Sequence, residues 1–345
     1  MPGTKTKSES LAIRHVYDPD NRVIAVTGAI SFLGTNLIRK LEQDRRYQKI
    51  LAIDIGKPEI PLVKTEFHKI DLTQPTADVA IAKVLKQQNA DTLVHLAFLS
   101  KPSHNKSWAH ELEAIGTMHV LNACTACRVK KVIIWSLTAL YGPHPQNPNY
   151  LGEESETRGI PNSRFFEDRI EAERLAIRFQ KENPQSVVSI LRTAPIIGPK
   201  INNYVVKYLK PRVVPVLMGY DPLVQLLHEE DAVTAFKLCV DQDFSGKFNL
   251  AGKGVLPLNT VLGLAGRIPV PIPRFAANRL VNFFWMTQIS NSPPGFLDFL
   301  RYLCVADTSR SRRIMGFVPK YDIRQTILDF TGITDSLPNA DGVGQ

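Results

Sequence analysis

Short apolar runs alternate with amphipathic segments through the first half of the chain. The apolar runs lie at residues 23–27, 50–54, 66–70, 92–97, 132–136 and 187–192. Between them, apolar residues recur at helical spacing near residues 33–45, 76–88, 107–127 and 165–183. Runs of this length are typical of buried strands, and strands that alternate with helices build a parallel sheet with helices on both faces. The pattern therefore predicts an α/β fold with a doubly wound parallel sheet.

The pattern changes near residue 195, where prolines begin to break the chain into short apolar pieces. A helical pattern returns at residues 229–240 and a strand-like run at 246–251, and the chain is then apolar and proline-broken to about residue 302. We predict a main domain with a smaller C-terminal lobe. The predicted division is a flexible tail at 1–20, a main domain at 21–198 to which 226–251 returns, a lobe at 199–225 and 252–333, and a second flexible tail at 334–345.

The chain has a net positive charge but no sequence motif for binding nucleic acid. The chain has 345 residues, of which 44% are hydrophobic and 22% charged, and its formal charge is +9. The basic residues are spread along the chain and accompany no nucleic-acid-binding motif, so no nucleic-acid partner is expected. Residues 1–20 have no apolar signal-peptide core, and no apolar run reaches the roughly 18 residues of a membrane span. A cytoplasmic location is the expectation.

One apolar stretch leaves an alternative open. Residues 275–303 are rich in aromatic and aliphatic side chains, and Arg274 and Arg279 are the cations at its start. Such a stretch is typical of the core of a lobe or of a dimer face. The alternative is a segment that lies in a membrane interface.

The cysteines predict no metal site. Cys124 and Cys127 form a C-x-x-C pair on a predicted helix, but no second Cys or His pair has matching spacing. Packing of small thiols against the sheet is the simpler interpretation.

A glycine turn follows the first predicted strand. Residues 27–34 read Thr-Gly-Ala-Ile-Ser-Phe-Leu-Gly and lead into an apolar-periodic segment. Gly28 permits a tight turn and Gly34 permits close packing of helix on strand, while Ser31 stands where the middle glycine of a dinucleotide fingerprint would be. Because a helix N-terminus favours an anion, the order strand, turn, helix indicates a dinucleotide site.

Two acids support this interpretation. Asp54 ends the second predicted strand, 20 residues after Gly34. A carboxylate there can accept both ribose hydroxyls and repels a 2′-phosphate, which favours NAD over NADP. Asp71 and Leu72 follow the third predicted strand, where an acid either reaches an adenine amino group or caps a helix.

Motifs in the same order along the chain resemble those of an extended short-chain dehydrogenase/reductase, the NAD-dependent epimerase/dehydratase family. They span about residues 21–330 and include Thr27-Gly28, Gly34, Asp54, Asp71-Leu72, His95-Leu96-Ala97-Phe98, Gly116-Thr117, Tyr141-Gly142, Glu171-Ala172-Glu173, Arg192, Ile197-Gly198-Pro199, Leu227-His228-Glu229-Glu230-Asp231, Asn249-Leu250-Ala251 and Gly316-Phe317. The resemblance implies a Rossmann domain that binds NAD, a lobe that binds a hydroxylated small molecule such as a nucleotide-sugar, and a homodimer. The cofactor-binding residues it implies are Gly28, Ile30, Ser31, Phe32, Leu33, Asp54, Asp71, Leu72, Leu96, Ala97, Phe98, Arg169 and Pro195.

The resemblance fails at the residues that carry the family's chemistry. In that family a Ser or Thr orients the substrate oxygen, a Tyr transfers a proton, and a Lys holds the nicotinamide ribose and lowers the Tyr pKa. The flanking motifs place these positions on Leu137, Phe165 and Arg169. Leucine and phenylalanine have no proton to move, and arginine is permanently charged, although it could still hold the ribose.

Substitutes for this set are few. Thr138 is a possible replacement for the missing hydroxyl, and Tyr141, Tyr150 and Tyr204 are candidates for a displaced acid. Glu113 stands where the family usually has Asn, as a surface residue or as a substitute polar group. Three hypotheses follow: an enzyme with divergent acid–base groups, a non-catalytic NAD-binding sensor or scaffold, and a membrane-peripheral sterol or lipid oxidoreductase.

Overall fold

The computed structural model describes residues 22–288 and 293–332, so the tails predicted at 1–20 and 334–345 lie outside the described residues. The strands, in chain order, are β1 (Arg22–Thr27), β2 (Tyr47–Asp54), β3 (Thr65–Lys69), β4 (Thr92–His95), β5 (Lys131–Leu137), β6 (Val187–Thr193), β7 (Ile196–Ile197), β8 (Val213–Leu217), β9 (Leu223–Val224), β10 (Leu227–His228), β11 (Gly246–Leu250), β12 (Leu256–Pro257) and β13 (Ile268–Ile272). The α-helices are α1 (Phe32–Glu42), α2 (Ala77–Gln87), α3 (Lys106–His110), α4 (Gly116–Cys127), α5 (Arg164–Glu182), α6 (Tyr204–Leu209), α7 (Glu229–Asp241), α8 (Leu258–Leu264), α9 (Arg274–Met286) and α10 (Ile323–Thr331).

Seven strands form one sheet in the order β3-β2-β1-β4-β5-β6-β11, and every neighbouring pair is parallel. The strand order reverses between β1 and β4. The loops that follow these two strands therefore diverge and leave a crevice at the carboxyl ends of the strands. The predicted α/β fold with a doubly wound parallel sheet is confirmed.

Alternate residues of each strand pack into two separate cores, one on each face of the sheet. On one face Ile24 and Val26 of β1 pack with α1 and α7. On the other face Val23 and Ala25 pack with α2, α4 and α5. Because both faces are covered, the strands read as continuous apolar runs rather than as an alternating pattern.

The helix predicted over 107–127 is interrupted. It consists of α3 and α4, with a π-helical turn over Glu111–Ile115 between them. Such a turn accommodates one extra residue and changes the direction in which its side chains point, and it occurs frequently at functional sites. Here the turn carries Glu113 into the protein interior, where its side chain has no exposed surface.

The C-terminal elements form a smaller body with its own core. Residues of α6, β8, α8 and α10 pack together in it, including Val206, Val214, Val261 and Ile327. Short two-stranded sheets join β8 to β13 and β9 to β12. The division into a main domain and a lobe stays our interpretation of this arrangement.

Helix α9 begins at Arg274 and lies within the apolar stretch that the sequence singled out. Several of its large apolar side chains are exposed, among them Phe275 at 69% and Phe283 at 59%. Within residues 22–288 and 293–332, no helix combines the length and the apolarity needed to cross a bilayer.

Candidate functional site

The glycine turn lies at the crevice between β1 and β4. Gly28 has a φ of +72°, and a Cβ there would lie 2.5 Å from the backbone of Leu96 and Ala97. A Cβ on Gly34 would lie 2.2 Å from the carbonyl oxygen of Gly28. Both positions therefore require glycine, because the chain after β1, the chain after β4 and helix α1 approach one another backbone to backbone.

Ser31 caps helix α1, whereas a glycine at this position would have no side chain to do so. Its hydroxyl accepts a hydrogen bond from the Gly34 N–H at 3.0 Å. The N–H groups of Phe32 and Leu33 have no acceptor among the described residues and lie at the positive end of the helix. They are the donors that an anion at this helix end would meet. The side chain of Leu33 points into the core, so only its main chain can take part.

Asp54 connects the end of β2 to the glycine turn. Its carboxylate accepts hydrogen bonds from the N–H groups of Ile30 at 3.0 Å and Ile55 at 2.7 Å. Burial raises the pKa of this carboxyl, and the two N–H donors act in the opposite direction. A carboxylate has about four lone-pair sites, so this one can still accept the hydroxyls of a ribose. Ile30 is 47% exposed beside it.

The other predicted cofactor residues line the same edge of the sheet with different degrees of exposure. Asp71 accepts hydrogen bonds from the N–H and hydroxyl of Thr73 at 2.9 and 2.8 Å, as a local cap does. Leu72 and Leu96 are buried, Ala97 is half-buried, and Phe98 packs its ring 4.5 Å from that of His95. Pro195 lines a cavity beyond the end of β6.

A buried hydrogen-bonded chain connects the strands beneath the crevice. The Thr27 hydroxyl lies 2.7 Å from Nδ1 of His95, and the Thr117 hydroxyl lies 3.0 Å from Nε2. The Thr117 hydroxyl donates to the carbonyl oxygen of Glu113 at 2.5 Å. Burial, with a smaller contribution from Arg169, lowers the pKa of His95 to about 3. His95 is therefore a neutral connector of β1, β4 and α4 and cannot act as a base at the site.

The two positions that the sequence predicts for the family's hydroxyl groups are apolar and packed. Leu137 ends β5 and is 8% exposed, and Phe165 opens α5 and is 6% exposed. Both belong to one apolar cluster, here called the Phe165 cluster. It consists of Leu137, Ala139, Leu140, Ile160, Phe165, Phe166 and Ile170, with Leu99, Trp135, Phe296 and Phe299 packed against it.

Arg169 lies one turn further along α5 and is buried with a partner. Its Nε donates to Oε1 of Glu113 at 3.0 Å, and its terminal nitrogens donate to the carbonyl oxygens of Leu99 at 2.9 Å and Trp135 at 3.4 Å. The guanidinium lies over the ring of Phe98 at 4.1 Å. Glu113 also accepts from the Leu99 N–H at 2.9 Å. Burial raises the pKa of the Glu113 carboxyl against the opposing effect of Arg169.

This pairing changes two sequence expectations. Glu113 is completely buried, so its interpretation as a surface residue is wrong. Arg169 is 1% exposed at its side chain, and its assigned hydrogen bonds go to Glu113 and two main-chain oxygens rather than toward the crevice. The role of Arg169 at a ribose stays a prediction that these contacts do not favour.

Three tyrosines were candidates for a displaced acid, and one of them lies against the Phe165 cluster. Tyr150 is 58% exposed. The Tyr141 hydroxyl donates to Asn249 at 2.7 Å and accepts from Arg192 at 3.0 Å inside a buried network. The ring of Tyr204 meets that of Phe165 edge-on, with 6.4 Å between centroids. Burial raises the Tyr204 pKa well above its ordinary value, so its hydroxyl is protonated at neutral pH.

A cavity of about 260 Å³ opens between the end of the sheet and the C-terminal elements. Thr138, Pro195 and Tyr204 are among its lining residues, and Ala139 and Phe296 of the Phe165 cluster line it too. The Thr138 hydroxyl, the possible substitute, is 2% exposed, and neither it nor the Tyr204 hydroxyl makes a hydrogen bond to another described residue. Among residues 22–288 and 293–332, no group of three or more His, Cys, Asp and Glu side chains could hold a metal ion.

Sequence reasoning missed the partner of Arg169 and the composition of the cavity. Glu113 and Arg169 lie 56 positions apart in sequence, and only the fold places them in contact. One signal was available in the sequence. Glu113 and Arg169 both differ from the residues that the family usually has at these positions, and their opposite charges suggest a pair. The cavity residues come from segments so separate that no local pattern joins them, as with Leu226, Val261, Phe296 and Tyr302.

Comparison with known proteins places these features in a family. The sequence model described as the NAD dependent epimerase/dehydratase family matches residues 24–251. An uncharacterized protein of Mycobacterium tuberculosis strain H37Rv is 32% identical over 319 residues, which cover 90% of this chain and 83% of that protein. UDP-glucuronic acid decarboxylase 6 of Arabidopsis thaliana is 23% identical over 332 residues, which cover 88% of this chain and 86% of that enzyme.

Solved structures share the fold at low sequence identity. The structure of MoeE5 in complex with UDP-glucuronic acid and NAD has a TM-score of 0.70 at 20% identity and covers 90% of this chain and 98% of its own. UDP-glucose 4-epimerase of Thermotoga maritima with UDP-glucose also has a TM-score of 0.70, at 18% identity, and covers 90% of this chain and 98% of its own.

Proposed function

The chain belongs to the NAD dependent epimerase/dehydratase family, and from that premise we propose that it binds NAD and a second small molecule without the family's tyrosine-dependent proton transfer. NAD would lie across the switch point of the sheet, between the loops after β1 and β4. The second ligand would lie in the cavity beside Thr138 and Pro195. The protein is then a sensor or scaffold that reports on its ligands rather than converting them.

The residues of the crevice fit a dinucleotide. Gly28 and Gly34 allow the close backbone approach, the N–H groups of Phe32 and Leu33 face a pyrophosphate, and Asp54 accepts from a ribose. A carboxylate at the ribose disfavours the 2′-phosphate of NADP. Bound NAD supplies a hydride acceptor, and the rest of the chemistry has to come from side chains of this chain.

The observation that carries the proposal is the packing of Leu137 and Phe165 in one apolar cluster. Neither side chain can donate, accept or hold a proton, and both keep water away from the end of the crevice. Arg169 is held by Glu113 and stays protonated, so it cannot relay a proton. General acid–base catalysis needs a titratable group within hydrogen-bond reach of the substrate, and the family positions supply none.

The second candidate function is retained oxidoreductase chemistry with displaced groups. Tyr204 favours it, because this residue lines the cavity together with Thr138 and its ring lies against Phe165. With its pKa raised by burial, Tyr204 would act as a proton donor and not as a base. Sterol or lipid substrates belong to this candidate.

Several features of this proposal rest on the family alone. The neighbours named above hold UDP-sugars, and a nucleotide-sugar is the ligand that the resemblance implies for this chain. Pairing of two copies into a homodimer and a cytoplasmic location stay predictions.

Calorimetric titration with NAD and NADP tests the first part of the proposal. We expect NAD to bind, and to bind more tightly than NADP. An absence of NAD binding contradicts the proposal, and a strong preference for NADP contradicts the role of Asp54.

Formation of NADH tests the second part, with UDP-glucose and 1-dodecanol as the supplied alcohols. We expect the wild-type protein to form none. The combined variant Leu137→Ser, Phe165→Tyr, Arg169→Lys and Glu113→Asn is expected to gain hydride transfer, because it restores the family set and removes the carboxylate that Arg169 neutralised. Turnover by the wild-type protein that disappears in Tyr204→Phe would support the second candidate instead.

A further inference from the structure

We propose that the cavity beside the Phe165 cluster binds an uncharged lipid, an apolar body that carries one hydroxyl or carbonyl group, rather than a nucleotide-sugar. The inference rests on the proposed function for its setting, a second-ligand site next to NAD. It goes further because it names the chemical class of that ligand.

The walls of the cavity are mostly apolar, with Val205, Leu226, Val261, Phe296 and Leu300 among them. None of the described residues that line the cavity is Asp, Glu, Lys, Arg or His. Ligand sites take their preference from such walls, with a few polar groups to fix orientation.

A diphosphate does not fit these walls. Moving a charged group from water into an apolar site is strongly unfavourable unless a cation or several donors meet it, and phosphates are usually met by Arg or Lys. No arginine is among the described residues that line the cavity. Arg310 pairs with Glu154 at 3.2 Å, and Arg312 lines a different cavity. The guanidinium of Arg301 lies over the ring of the lining residue Tyr302 at 4.5 Å.

The polar atoms of the cavity suit a single oxygen function. Two of the lining side chains are already satisfied: the Gln225 amide bonds both polar atoms of the Ala306 main chain at 3.0 Å, and the Tyr208 hydroxyl donates to Pro215 at 2.8 Å. The hydroxyls of Thr138, Tyr204 and Tyr302 make no hydrogen bond to another described residue. A ligand oxygen can meet those of Thr138 and Tyr204, while the rest of the ligand contacts carbon.

Fluorescence of N-phenyl-1-naphthylamine, an uncharged apolar probe, tests the ligand class on the full chain without NAD. We expect the probe to bind, 1-dodecanol to displace it, and UDP and UDP-glucose to leave it bound. Displacement by UDP or UDP-glucose overturns the proposal, and so does a failure of the probe or of 1-dodecanol to bind.

Two substitutions on helix α9 separate the cavity from the exposed apolar surface. Val281 lines the cavity, whereas Phe283 is exposed and lies outside the lining. Val281→Glu is expected to weaken 1-dodecanol binding more than about tenfold, because it adds a charge to the wall, and Phe283→Glu to leave it unchanged. Equal losses in the two variants place the probe on the surface and overturn the proposal. Val224→Glu, on the other wall, replaces Val281→Glu if the latter fails to fold by circular dichroism.

Tyr204→Phe tests the oxygen anchor. It removes one hydroxyl and keeps the ring, so 1-dodecanol should bind about fivefold more weakly, a loss typical of one hydrogen bond, with little change for the probe. No change in 1-dodecanol binding overturns the role of the Tyr204 hydroxyl as the anchor.

Calorimetry with NAD on wild-type protein and on Asp54→Ala is run separately, so that the two proposals can fail independently. NAD binding without 1-dodecanol binding refutes this inference alone. Binding of 1-dodecanol without NAD binding refutes the proposed function alone.

Discussion

The two ends of the crevice differ in composition, because main chain forms one and side chains form the other. The dinucleotide end consists of main chain brought close by Gly28 and Gly34, with one carboxylate from Asp54. The other end consists of side chains, and there the apolar Leu137 and Phe165 stand where we predict the family's hydroxyl groups. A site made of backbone persists as long as the fold does, whereas a site made of side chains is lost by a few substitutions that the fold tolerates.

The side-chain end is a packed part of the fold. Phe165 packs edge-on against Phe166, with 5.3 Å between ring centroids, and the cluster around it joins β5 to α5 and to the C-terminal segment. Arg169 and Glu113 connect α5 to the π-helical turn. The region to which we assign the family's proton-transfer positions contributes packing and a buried ion pair in this chain. The comparison predicts that substitutions there act on stability, while substitutions at the glycine turn act on NAD binding.

The largest effect is expected at the buried ion pair. Glu113→Gln leaves the Arg169 charge buried without a counter-charge, so the free energy of unfolding should fall by about 3–5 kcal/mol in chemical denaturation. Glu66→Gln is the control, because the Lys49–Glu66 pair at 3.3 Å is exposed and should contribute less than about 1 kcal/mol. The double variant Glu113→Leu with Arg169→Met should recover much of the loss. Equal effects of Glu113→Gln and Glu66→Gln would show that this end is not a structural region.

A smaller loss of stability, with loss of cofactor, is expected at the glycine turn. The positive φ of Gly28 makes alanine unfavourable by about 1–2 kcal/mol, and the added Cβ against Leu96 and Ala97 adds about 1–3 kcal/mol. NAD binding should be lost by calorimetry. Gly219→Ala is a matched control, because its φ is +84° and no atom lies within 4 Å of the new Cβ. NAD binding that survives in Gly28→Ala would contradict the placement of the dinucleotide.

The smallest effect is a pH dependence at Asp54. Burial raises the pKa of this carboxyl, so Asp54 becomes protonated at a higher pH than an ordinary aspartate. NAD affinity should fall by about tenfold as the pH falls through that raised pKa, since a protonated carboxyl is a weaker acceptor. Asp54→Asn should bind NAD weakly and without this pH dependence. The same fall with pH in wild type and Asp54→Asn would assign it to another group.

The sequence by itself determined the doubly wound sheet and the glycine turn, and it predicted the loss of three catalytic side chains, which stays a prediction. Each of these depends on local information: apolar runs of strand length, glycines at fixed offsets, and motifs whose flanks set the register. The interruption of the helix predicted over 107–127 had no local signal: its π-helical turn carries Glu113, whose partner Arg169 is distant in sequence.

Only the tertiary structure decided what the altered positions now do. It put Phe165 in an apolar cluster, gave Arg169 a buried partner, and placed Tyr204 and Thr138 on a cavity with uncharged walls. These relations join residues far apart in sequence, and their energies come from desolvation and packing, which exist only once the chain is folded. Local sequence patterns predict where strands, helices and turns lie, but the environment of a side chain depends on the whole fold.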